Sequence, residues 1–131
     1  PALAGVSRQV EFPAASPIMQ YILANSPLGY TQSKPGYVGT RVNALRIGDA
    51  KILTIPGEAL PNVGFYLKRK MGTDKAFLFG LTNDAFGYML ARVDYDSFEK
   101  YNYITRTSLG EMTAEIYMEE ALKLIKELDK N

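Results

Sequence analysis

The clearest rhythm of apolar and polar positions lies near the C-terminus. Ala114, Tyr117, Ala121, Ile125 and Leu128 recur at spacings of three and four, and Ile116, Leu122 and Leu124 widen the stripe. That period predicts an amphipathic helix with one face in a core. Glu111 and Glu115 near its start, and Lys123, Lys126 and Lys130 near its end, suit the helix dipole. Glu119 stands one turn before Lys123, a favourable pairing on the solvated face.

Upstream the rhythm shortens. Residues 41–47 read as a strand with Val42 and Ala44 on one face, Gly48-Asp49 as a turn, and residues 52–55 as a second apolar run ending at Pro56-Gly57. Strand, tight turn and strand predict a hairpin. Val63, Leu67 and Met71 on one side, with Lys68, Arg69 and Lys70 on another, predict a short helix closed by Gly72. Residues 76–81 form an aromatic-rich run of strand length, residues 87–90 a further short strand, and Asn83-Asp84 a loop between them.

Proline dominates the opening segment, with Pro1, Pro13, Pro17, Pro27 and Pro35 all in the first 35 residues. A residue without an amide donor and with fixed φ excludes one long helix or a central strand there. The expectation is a loop-rich arm over residues 1–39, with one short helix near residues 18–24, lying on another surface. Residues 40–131 then form a mixed α/β unit. Its sheet is built from the hairpin and the strands within residues 76–90, and it is covered by the residue 63–71 helix and the C-terminal helix.

Composition narrows the chemistry. The 131 residues are of single-domain size, and 47% hydrophobic content supplies a core. Fifteen basic against fourteen acidic residues leave a net charge of +1, which argues against nucleic acid as a partner. No apolar stretch approaches the roughly 18 to 20 residues of a membrane span. The chain has no Cys, Trp or His. It therefore contains no thiol nucleophile, no Ser-His-Asp triad and no imidazole ligand for a metal. Any chemistry must use carboxylate, phenol, hydroxyl or guanidinium groups, or a histidine from elsewhere.

Two residues stand at strand boundaries where such chemistry is commonly placed. Glu58 follows Ile55-Pro56-Gly57 at the tip of a strand, a position suited to binding a metal or orienting water, although Pro-Gly-Glu is also an ordinary turn. Tyr88 follows Gly87 at the start of another strand, and one tyrosine among nine is ordinarily a packing residue.

The order of these pieces resembles the neutral ceramidase family. Leu45-Arg46-Ile47-Gly48-Asp49, then Ile52 to Glu58, then Gly64 and Leu67 in a basic helix, is similar to the family's glycine turn, Pro-Gly-Glu and Gly-Arg-Arg-Leu segments. Gly80-Leu81-Thr82-Asn83 with Tyr88 five residues on resembles its Gly-Leu-x-Asn stretch and following tyrosine. Tyr95 falls at the tyrosine of Glu-Glu-Tyr, and Tyr101, Tyr103, Thr107-Ser108 and Gly110 resemble the run before a final helix. The chain departs from the family at Glu111, where proline is usual, and across residues 84–87, where aromatic residues or histidine are common.

The resemblance, which spans about residues 41–127, implies part of the catalytic domain of a larger ceramidase-like fold. It also implies a zinc-dependent amidohydrolase acting on an N-acyl amide, a lipid-like substrate such as ceramide. In that family two histidines, a glutamate and a tyrosine hold the metal. Glu58 matches the glutamate and Tyr88 the tyrosine, while a further tyrosine near the substrate carbonyl corresponds to Tyr103 or Tyr101. The two histidines come from the preceding part of the protein, so a missing N-terminal portion or a second chain must supply them. Two other readings stand beside this one. The chain could be a non-catalytic assembly or binding module with the same fold. Alternatively, the amine of Pro1 could be a catalytic base, as in the tautomerases, although residues 1–6 are small and glycine-interrupted.

Overall fold

The computed structural model describes residues 2–30, 32 and 34–131, so Pro1 lies outside the described residues. Among the described residues six strands and four α-helices succeed one another in the order β1 (Leu3–Pro13), α1 (Pro17–Asn25), β2 (Tyr37–Ile47), β3 (Ala50–Thr54), β4 (Glu58–Ala59), α2 (Pro61–Lys70), β5 (Ala76–Phe79), β6 (Tyr88–Met89), α3 (Asn102–Arg106) and α4 (Thr113–Leu128), with 3-10 turns at Arg92–Asp94 and Glu99–Tyr101. The main sheet runs β1-β2-β3-β5. β1 and β2 pair antiparallel along their whole length, β2 and β3 form the expected hairpin, and β3 and β5 pair in parallel. A parallel pair needs a crossover, and α2 supplies it. The mixed sheet with flanking helices is the expected fold class.

Two expectations are corrected. The proline-rich opening is no loop-rich arm, because eleven of its residues form the edge strand β1. The division at residue 39/40 falls inside β2. The prolines permit this because no proline lies between Leu3 and Phe12, and Pro13 closes an edge strand where a missing N–H costs little. The short helix within the segment is present as α1. Ser16 caps it, its Oγ accepting from the Met19 amide, and Pro17 occupies the first turn. The second correction concerns residues 87–90, whose strand β6 does not join the sheet. It pairs instead with β4 in a separate parallel ladder.

Alternation along the strands decides what is core. Val6, Val10 and Phe12 of β1, Val38, Val42 and Ala44 of β2, Leu53 of β3 and Leu78 of β5 share the face beneath α4 and α2. α4 lays Ala114, Tyr117, Ala121, Leu124, Ile125 and Leu128 on them, the stripe read from the sequence. The fully buried Tyr117 hydroxyl donates to the Thr54 carbonyl at 3.0 Å, so the one polar atom of that ring is satisfied. At the margin, Arg8 bridges Glu120 and Glu127, both at 3.1 Å, and Lys123 meets Glu119 at 3.0 Å.

Candidate active site

The site residues sit past the C-terminal ends of the parallel pair β3 and β5, where open α/β sheets commonly place ligands. β3 is prolonged by Ile55, whose amide donates to Phe79 O at 2.8 Å, and the chain then turns at Pro56-Gly57. The segment of residues 80–89 wraps this turn. The Leu81 amide donates to Gly57 O, Thr82 to Ile55 O, and Phe86 to Pro56 O. Leu81 and Asn83 hold positive φ, 51° and 71°. A left-handed leucine is costly and is kept only where surrounding contacts enforce it. Asn83 secures the wrap by donating its amide to Arg41 O at 2.6 Å.

Two glycines then bring the chains together. A Cβ on Gly57 would lie 2.4 Å from Gly87 O. Gly87 has φ +81°, and a Cβ there would lie 1.8 Å from Thr107 O. Only residues without side chains permit this approach. Its product is the β4–β6 ladder. Glu58 N donates to Gly87 O at 2.9 Å, Leu60 N to Met89 O at 2.9 Å, and Glu58 stands directly opposite Tyr88.

The third member arrives from α3. Tyr103 sets its ring edgewise against Tyr88, with centroids 6.0 Å apart and planes at 70°. Thr107 binds the two together. Its carbonyl accepts from the Tyr88 amide at 3.1 Å, while its own amide and Oγ1 donate to Tyr103 O at 3.1 and 2.7 Å. In the sequence Thr107 is only one member of a motif; its role as a clamp between two tyrosines is visible only in the fold.

Glu58, Tyr88 and Tyr103 are therefore brought together, and Tyr101 is not among them. The Tyr101 ring packs edgewise on Phe98 at 5.5 Å and faces a hollow bounded by Leu60, Pro61, Asn62 and Asp94. Tyr95, one further tyrosine of the family-like run, has Glu111 and Asp96 as its charged neighbours; burial, then those carboxylates, push its phenol up.

Electrostatics tie the trio into one site. The Glu58 carboxylate, then burial, then Tyr103, raise the Tyr88 phenol above its ordinary value. Glu58 is exposed, and among the described residues no hydrogen bond or ion pair engages its carboxylate. An unneutralised carboxylate beside a phenol is a donor set that favours a cation, since a bound cation reverses the penalty on phenolate. Two oxygen donors fit part of a zinc shell and leave it incomplete. Among the described residues no three His, Cys, Asp or Glu side chains cluster as a metal site. Beside the site, Ala59, Leu60, Phe65 and Leu78 line an apolar groove of about 320 Å³ with Lys68 on its wall.

The fold is similar to parts of two solved structures. The chain superposes on neutral ceramidase from Pseudomonas aeruginosa with a TM-score of 0.71 and 16% identity, over 99% of this chain and 29% of that one. It superposes on a ceramidase complexed with C2 with a TM-score of 0.61 and 21% identity, over 71% of this chain and 15% of that one. The fold is thus that of a part of the ceramidases, and the chain spans less than a third of either structure's length. No family model and no curated protein matches the sequence.

Proposed function

We propose that the chain is the C-terminal portion of a zinc-dependent amidohydrolase that cleaves an N-acyl amide of the ceramide kind. The observation that carries this reading is the register of the β4–β6 ladder, which opposes Glu58 and Tyr88 and lets Tyr103 lean on the latter. Glu58 and Tyr88 would hold the metal together with histidines from a preceding portion or a second chain, since this chain has none. Zinc bound there would supply Lewis acidity and lower the pKa of a bound water toward about 7.

The protein's own part is positioning. Glu58 sets a negative charge at the start of β4, just past the Pro56-Gly57 turn. Tyr88, whose phenol that charge pushes up, offers an oxygen whose ionisation a bound cation would favour. Tyr103 presents a phenol able to donate to the oxyanion of an amide under attack. Tyr101 would lie outside this set. The groove at Ala59, Leu60, Phe65 and Leu78 is apolar, as an acyl chain requires.

The test is made on the assembled protein. Glu58→Gln and Tyr88→Phe should each lower bound zinc, read by elemental analysis, and abolish release of fatty acid from an N-acylsphingosine. Tyr103→Phe should keep zinc and lose rate by about 10²-fold or more, the scale of one oxyanion donor. Zinc content and hydrolysis unchanged by Glu58→Gln and Tyr88→Phe would leave the non-catalytic module as the correct reading.

A further inference from the structure

The main sheet has two faces with different fates. Helix contacts come from α4 on β1 and β2 and from α2 on β5, and they reach the inward set of side chains. The outward set lies in register. Leu3 stands beside Ile47 and Ile47 beside Ala50, while the next row runs Gly5, Leu45, Ile52 and Phe77. Leu3 is 76% exposed, Ile47 49%, Phe77 48% and Phe79 51%. A sheet with one solvated face carries polar residues outward. Here that holds only on β1 and β2 nearer the site, where Ser7 pairs Asn43 and Gln9 pairs Arg41, while on β5 Phe79 continues the apolar edge beside Thr54.

The apolar rows also contain a socket. Gly5 contributes no side chain between Leu45 and Ser7, and a hollow of about 310 Å³ opens there, with Asn43 on its wall. Contiguous apolar surface with a socket marks a face made to be covered. The fold match says how much could cover it. All but 1% of this chain corresponds to 29% of the Pseudomonas enzyme, so more than two thirds of that chain has no counterpart here.

We propose that the outward sheet face is the seat of the histidine-bearing remainder of the assembled protein. The occupant is a polypeptide layer that sets apolar side chains over Leu3, Leu45, Ile47, Ile52 and Phe77, one of them filling the socket at Gly5. Over Ser7, Arg41 and Asn43 the same layer presents polar groups. β3 runs from the apolar rows toward the polar ones and then to Glu58, and Asn83 ties the polar end, at Arg41, to the loop that wraps the site. A layer seated here therefore ends beside Glu58 and Tyr88. The identity of the occupant rests on the function proposed above; the existence of a covered face does not.

Hydroxyl-radical footprinting of the protein purified from its own cells through a C-terminal tag tests this. Phe98, 61% exposed outside the sheet, is the internal reference. Phe77 and Phe79 should oxidise several-fold more slowly than Phe98, and the Phe77→Lys/Ile47→Lys double variant should bring Phe79 and Leu3 up to their unprotected rates with far-UV circular dichroism unchanged. Oxidation of Phe77 and Phe79 at the Phe98 rate in the native protein would overturn the proposal. So would protection in a preparation that contains only copies of this chain and disappears as they dissociate on dilution. Glu58→Gln separates the two readings: it should remove zinc and leave the protection intact. Zinc with an unprotected face sinks this inference alone, and a protected face without zinc sinks the functional reading alone.

Discussion

A carboxylate opposite a phenol resists the phenol's ionisation, and at Tyr88 that repulsion is the largest cause of its raised pKa. Glu58→Gln removes the charge and should move Tyr88's titration down toward the ordinary tyrosine value of about 10. Carbon-13 NMR of labelled tyrosine, with the resonance assigned through its loss in Tyr88→Phe, measures the shift; an unmoved midpoint would show that Glu58 is not its source. Tyr103→Phe should act in the same direction and by less. Glu58 and Tyr88 were legible as candidates because each follows a glycine at a strand boundary within a run whose order resembles the ceramidase family. Why those glycines are required was not legible. The carbonyls that crowd Gly57 and Gly87 belong to Gly87 and Thr107, distant in sequence, and no local pattern announces such an approach. Likewise Tyr101 and Tyr103 look interchangeable along the chain, and only the turn of α3 sends one ring to Tyr88 and the other to Phe98.

At the scale of elements, α4 shows how much one side chain in a helix can hold. Tyr117 is wholly buried and donates to Thr54 O, so Tyr117→Phe should cost about 1 kcal/mol near neutral pH, read by urea unfolding. Burial raises this phenol far above its ordinary value. A raised group stabilises fully below its unfolded pKa and loses that contribution as pH climbs toward the folded one. The protein should therefore lose stability above about pH 10, and the gap to Tyr117→Phe should shrink in that window. A gap that stays constant to higher pH would mean that the hydroxyl is not buried as described. α4 itself was legible because its stripe is long and regular. β1 was not, although Val6, Val10 and Phe12 alternate as an edge strand should, because the prolines that flank it signal a break in regular structure. β6 was legible as a strand but not in its partner, since pairing depends on which chain lies adjacent and not on propensity.

For the whole molecule, the expected metal behaviour follows from the donor count. Glu58 and Tyr88 offer two oxygens where zinc takes four ligands, so the isolated chain should bind zinc weakly or not at all. Isothermal titration calorimetry checks this, and tight stoichiometric zinc in this chain alone would contradict a shared site. The described residues contain no helix long and apolar enough to cross a membrane. By itself the sequence determined the helix stripe, the hairpin, the mixed α/β class, the absence of imidazole and thiol chemistry, and two oxygen-bearing candidates at strand ends. These are local properties: period, turn chemistry and composition act over a few residues. Only the tertiary structure decided that the opening segment is a strand, that Glu58 stands opposite Tyr88, that Tyr103 and not Tyr101 packs on Tyr88, and that one sheet face carries no helix among the described residues. Each of those depends on contacts between residues far apart in sequence, where backbone approach and packing choose the neighbour.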